Sequence, residues 1–166
     1  MFDEKDVREL AAFHGDEALV LSLYLSTDPS RHIKDEAKLT LRGLWKQAGA
    51  LGAAPDDAHR VEHFIDLEYD WQSKGLALFS CQSKGFWRAF PLSVPVDYHA
   101  FVAERPYVKP LSDILDEYGK FAVVLVDQES ARLVLYHLGV VEGTAGTIGA
   151  ELKRHKQGGW AAQRLQ

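Results

Sequence analysis

Two seven-residue runs rich in β-formers, Gly75–Cys81 and Phe86–Leu92, stand on either side of Gln82-Ser83-Lys84-Gly85. Four residues cannot carry a crossover, so the runs can pair only as an antiparallel hairpin, with Gly85 supplying the positive φ of its turn. Such a hairpin must cover its apolar face, and the flanking sequence offers the cover. Residues 19–25 read as a first strand. Residues 3–14 carry Val7, Leu10, Ala11 and Phe13 at helical spacing and are expected to stop at Gly15. Residues 33–50 place Ile33, Ala37, Leu41, Leu44 and Ala48 on one stripe, the pattern of a helix packed on a sheet. Beyond a Gly/Pro/Asp-rich bend at 49–57, Val61, Phe64, Ile65 and Leu67 suit a second, antiparallel helix within 56–71, so the two form a helical hairpin.

The segment 94–110 holds Pro95, Pro106 and Pro110, which restrict helix and strand alike and place an expected boundary near residue 100. After it, 108–118 is a helix candidate with Leu111, Ile114 and Leu115 inward and Gly119 as its C-cap. Phe121–Val126 and 132–138 are strongly β, separated by the turn Asp127-Gln128-Glu129-Ser130, and 139–149 continues the meander with Val140, Val141 and Ile148. The six residues after Trp160 are good helix formers but too few to make a helix alone. The expected class is therefore α+β: a small α/β first module over residues 1–100, then the truncated start of a second over 101–166.

A hydrophobic fraction of 46% in 166 residues is ample for a packed core. With 26% charged residues and neither a signal peptide nor a membrane-length apolar run, the expected location is the cytoplasm, with no membrane partner. A single cysteine, Cys81, excludes an intramolecular disulfide and any Cys-rich zinc site, and is read as a small buried apolar residue. The net charge of −5 argues against a protein that coats nucleic acid generically. Its distribution says more. Residues 151–166 contain Lys153, Arg154, Lys156 and Arg164 against Glu151 alone, beside the pair Gly158-Gly159.

A cluster of cations can neutralise several phosphates, and paired glycines allow close approach to a ligand. The run Lys153-Arg154-His155-Lys156-Gln157-Gly158-Gly159-Trp160-Ala161-Ala162-Gln163-Arg164 therefore reads as a loop pushed into RNA, or as a solvated basic connection between strand and helix. It resembles the catalytic loop of archaeal and eukaryotic class-I peptide chain release factors, in which a basic stretch leads into Gly-Gly-Gln, Ser-Ala and an Arg-containing helix. Pro106-Tyr107-Val108-Lys109-Pro110-Leu111 and Phe121–Val126 with Asp127 are similar to the start of that family's middle domain, in its bacterial branch above all. Leu21-Ser22-Leu23-Tyr24-Leu25 followed by a helical hairpin resembles the amino-terminal domain. The resemblance implies an RNase H-like mixed-sheet middle domain, further carboxy-terminal domains, and the ribosome as partner, through ribosomal RNA and the tRNA acceptor end. A translational GTPase as delivery factor is left open.

Two departures shape what is carried over. Trp160 stands where the family has the glutamine that places the attacking water; an indole has one N–H donor and no acceptor and cannot replace a side-chain amide. No Thr-Ala-Ser-Asn-Ile-Lys-Ser decoding motif occurs at 49–57, so stop-codon reading is not expected. What remains is ribosome rescue in the manner of Pelota, or occupation of an empty A site in dormancy, as in the hibernation factor Balon. In this reading Lys153, Arg154, His155, Lys156 and Arg164 contact RNA, Gly158 and Gly159 allow close approach, and Trp160 stacks on a base or plugs the site. An enzymatic alternative is a peptidyl-tRNA hydrolase or tRNA-end nuclease that uses the backbone N–H of Trp160 and a water held by Gln157 or Gln163. A third is a non-ribosomal interaction domain that has kept only the fold. None calls for a cofactor.

Other constellations are weaker. His59 and His63 share a helix face at i, i+4, a spacing that can hold a metal, but no third ligand is evident, and no metal is expected. Asp127 and Glu129 are ordinary turn acids. Asp113, Asp116 and Glu117 read as the wet side of a helix.

Overall fold

The computed structural model describes residues 2–28, 30, 34–126 and 130–149. In chain order the elements are α1 (Glu4–Ala12), β1 (Val20–Ser26), α2 (Lys34–Ala50), α3 (Pro55–His63), β2 (Gly75–Cys81), β3 (Phe86–Leu92), β4 (His99–Ala103), α4 (Lys109–Tyr118), β5 (Phe121–Val126), β6 (Ser130–His137) and β7 (Val140–Gly149). They build two antiparallel sheets, β3-β2-β1-β4 and β5-β6-β7, in an α+β arrangement as read from the sequence.

β1 and β2 are buried at every position because helices cover both faces of the first sheet. Strand alternation sorts the side chains into two cores. Leu21, Leu23, Leu25, Leu76 and Leu78 meet Leu41, Leu44 and Ala48 of α2 and Val61 of α3 on one face. On the other, Val20, Tyr24, Ala77, Phe79 and Cys81 meet Leu10 of α1 with Leu111 and Ile114 of α4. Polar groups inside the sheet are satisfied: the Ser22 hydroxyl accepts from the Tyr107 N–H at 2.9 Å.

Local chemistry explains the helix ends. Asp3 caps α1, its carboxylate accepting from the N–H groups of Lys5 (2.8 Å) and Asp6 (3.1 Å), while Asp6 accepts from the Asp3 N–H at 2.9 Å. α3 opens with Pro55 followed by Asp56 and Asp57, the residues a helix N-terminus favours. It passes into a π-helical turn at Phe64–Glu68, so the helix expected over 56–71 ends earlier.

Two sequence expectations need correction, at β4 and at the end of β6. β4 was not anticipated: Pro95 and Pro106 flank it rather than interrupt it, and as an edge strand on β1 it carries the first sheet across residue 100 to Ala103. Gly119 is the C-cap of α4, as expected, with φ −55° and ψ −163°; a Cβ there would lie 2.5 Å from the Leu115 carbonyl oxygen, so closeness selects the glycine. β6 stops at His137, and Leu138 turns the chain at φ 50°.

Candidate functional site

The helical hairpin is pinned to the sheet by one acid. Asp57, 2% exposed in the first turn of α3, accepts from the Ser80 hydroxyl at 2.7 Å and from the Gln82 N–H at 2.8 Å. That fixes α3 against the turn between β2 and β3. The sequence reading placed Asp57 where the 49–57 bend meets the second helix and gave it no partner; an acid in the first turn of a helix, opposite a serine in a buried strand, is the signal that could have revealed it.

On the outer flank of α3 the Arg60 guanidinium lies 4.2 Å above the Trp87 ring and bonds Glu68 at 2.7 Å, and Glu68 also meets His63 Nδ1 at 3.1 Å. The Arg60 hydrogen bond holds the Glu68 carboxyl below the usual carboxylate range. His63 is thus engaged with an acid, His59 is exposed, and no group of metal-binding side chains forms among the described residues. Trp45, Trp71 and Trp87 are half-buried around the hairpin core. Cys81 is fully buried, as expected.

Two grooves lie on the opposite side. One, of about 380 Å³, has Tyr24, Phe101 and Tyr107 in its floor and Asp97, His99, Lys109 and Asp113 at its rim. Tyr107 stacks on Phe101 with ring centres 3.9 Å apart and its carbonyl accepts from the Tyr24 hydroxyl, whose pKa burial pushes up. Asp113 pairs with Lys109, which raises the Lys109 pKa. The second groove, of about 820 Å³, runs between the start of α1, the end of α4 and β5, with Asp3, Arg8, Asp116, Lys120, Phe121 and His137 among its walls. Both mix cations and acids, and neither is the one-sign surface that a phosphate backbone selects.

The concentration of positive charge therefore belongs to the segment that β7 delivers. β7 ends at Gly149, and Lys153, Arg154, His155, Lys156, Gln157, Gly158, Gly159, Trp160, Gln163 and Arg164 follow it outside the described residues, as Asp127 and Glu129 also lie outside them. The sheet that carries β7 exposes Val124, Leu125, Val126 and Val141.

Residues 106–166 match the model of the bacterial archaeo-eukaryotic release factor family 10. Over that stretch the chain is similar to a bacterial branch of the release factors. The matched stretch begins at Pro106, ahead of α4, and takes in the whole basic segment with Gly158-Gly159-Trp160. Two solved structures are similar to most of this chain. One, described only as an archaeal protein, aligns with TM-score 0.50 and 16% identity over 87% of this chain and 43% of its own. The crystal structure of the archaeal translation termination factor aRF1 aligns with TM-score 0.50 and 13% identity over 89% of this chain and 45% of its own. At these identities the likeness is one of fold. The chain spans less than half the length of either structure. No curated protein matches it.

Proposed function

We propose that this chain is part of a ribosome-associated, release-factor-like protein that binds in or near the A site and serves ribosome rescue or hibernation without reading a stop codon. The observation that carries the reading is the family match over residues 106–166, which takes in the cationic Gly-Gly segment of a chain whose fold is similar to that of a translation termination factor. In this reading the first module runs on through β4 to Ala103, a few residues past the division into 1–100 and 101–166 read from the sequence, and the beginning of the middle module follows. Lys153, Arg154, His155, Lys156 and Arg164 neutralise phosphates of ribosomal RNA and the tRNA acceptor end, Gly158 and Gly159 let the loop approach closely, and Trp160 stacks or plugs. With tryptophan in place of the water-placing amide, the loop occupies the site and does not hydrolyse peptidyl-tRNA.

Charge reversal at Lys153, Arg154 and Lys156 tests this directly. The triple Glu variant keeps the circular-dichroism spectrum of the parent and loses cosedimentation with ribosomes. Unchanged cosedimentation sinks the proposal.

A further inference from the structure

Among the described residues, Leu138 is the one residue beyond α4 that enters either hydrophobic core. It stands at the tip of the β6–β7 hairpin, where His137 pairs with Val140 and Leu138 and Gly139 form a two-residue loop with φ 50° and 75°. Both values are left-handed, which makes this the turn type that asparagine-glycine fills best; leucine is a costly choice there, since its Cβ crowds the following carbonyl. Leu138 is nonetheless 2% exposed and packed in the core that also holds Val94, Leu111 and Ile114. Its backbone is held from both sides: the Leu138 N–H donates to the Tyr118 carbonyl at 2.6 Å, and the Leu138 carbonyl accepts from the Ser93 hydroxyl. A Cβ on Gly139 would meet Val94 Cγ1 at 3.5 Å, so the turn seats directly on the loop after β3. A residue that is poor for its own hairpin but buried in a neighbouring core is selected by the neighbour, not by the turn.

We propose that the Leu138–Gly139 turn is a latch that sets the angle of the sheet β5–β7 against the four-stranded sheet. Burial of the leucine and the two backbone hydrogen bonds to Tyr118 and Ser93 hold the joint, and its released form is one in which the two sheets keep their own folds but not their relative position. The latch does not depend on the ribosome reading, because every contact it uses lies within the chain.

The variant Leu138→Asn separates the two roles. Asparagine relieves the turn but cannot fill the apolar seat, so the hairpin is kept and the latch is lost. Spin labels at Gln47→Cys on α2 and Thr144→Cys on β7, both exposed positions, report the distance between the sheets, with Cys81 buried out of reach. The parent is expected to give one dominant distance, and Leu138→Asn a second, longer one together with loss of hydrogen-exchange protection at the amide of residue 138. Ser93→Ala, which removes one latch hydrogen bond without touching the hairpin, is expected to shift the distribution the same way by less. If both variants keep the parent distribution and the amide stays protected, the latch is overturned. Should Leu138→Asn not fold, Ser93→Ala decides alone: a longer-distance population supports the latch and an unchanged one overturns it.

Discussion

Replacing Asp57 with alanine should loosen the helical hairpin from the sheet at a cost that can be worked from its two contacts. The carboxylate accepts from the Ser80 hydroxyl at 2.7 Å and the Gln82 N–H at 2.8 Å, and Ser80 is fully buried. Hydrogen bonds to a charged acceptor contribute about 1.5–3 kcal/mol each, and donors left unsatisfied inside a protein lose the full desolvation term. The Gln82 side-chain amide already donates to the Ser80 oxygen at 3.0 Å and cannot serve as the missing acceptor without turning over. The expected loss for Asp57→Ala is about 3 kcal/mol after local relaxation, within the total stability of an ordinary domain, so the variant still folds. Asp57→Asn retains one acceptor oxygen and should lose about half as much. Urea unfolding followed by fluorescence of Trp45, Trp71 and Trp87 measures both losses. A loss below about 1 kcal/mol for the alanine variant, with exchange protection across α3 unchanged, refutes the pinning role.

Further outcomes follow from other residues. Gly43 lies inside α2 with open space where a Cβ would stand, so Gly43→Ala should stabilise by about 0.5–1 kcal/mol and raise the melting temperature by a few degrees; no rise would mean that α2 is not helical there in solution. The Asp3 carboxyl is lowered foremost by the Asp6 N–H and the Glu68 carboxyl by the Arg60 hydrogen bond. Both folded values lie below the ordinary 3.8 and 4.5, so the stability they contribute is complete above those values and is lost as pH falls through the folded ones. Urea midpoints should therefore be flat near neutrality and fall in acid, less steeply for Asp3→Asn combined with Glu68→Gln; a midpoint that rises in acid contradicts this. The parent is expected to show no turnover of peptidyl-tRNA; turnover in the parent, preserved or raised in Trp160→Gln, would favour the hydrolase reading.

Much of the architecture was legible because periodicity and turn chemistry agree in this chain. Gly75–Cys81 and Phe86–Leu92 pair over their full length, from Gly75 opposite Leu92 to Cys81 opposite Phe86, with Gly85 at φ 63°. The stripe Leu41, Leu44, Ala48 faces the sheet as its spacing requires. What escaped was tertiary in origin. β4 is five residues long between prolines, and only the free edge of β1 makes it a strand. The burial of Asp57 depends on Ser80 in a strand that the linear sequence does not place opposite it. Leu138 looked like the last residue of a strand because leucine is a poor turn residue, and the reason for its presence lies in another core. The basic segment is a reading of composition and motif alone, since its residues lie outside those described.

The central claim, that this chain binds the ribosome through its cationic Gly-Gly segment, is tested most directly by cosedimentation of the full-length protein with purified ribosomes at about 50 mM and 200 mM salt, with Trp160→Ala alongside. Binding that weakens steeply with salt, and further in the variant, is the predicted result. Absence of binding at the lower salt, with the protein folded, would contradict it.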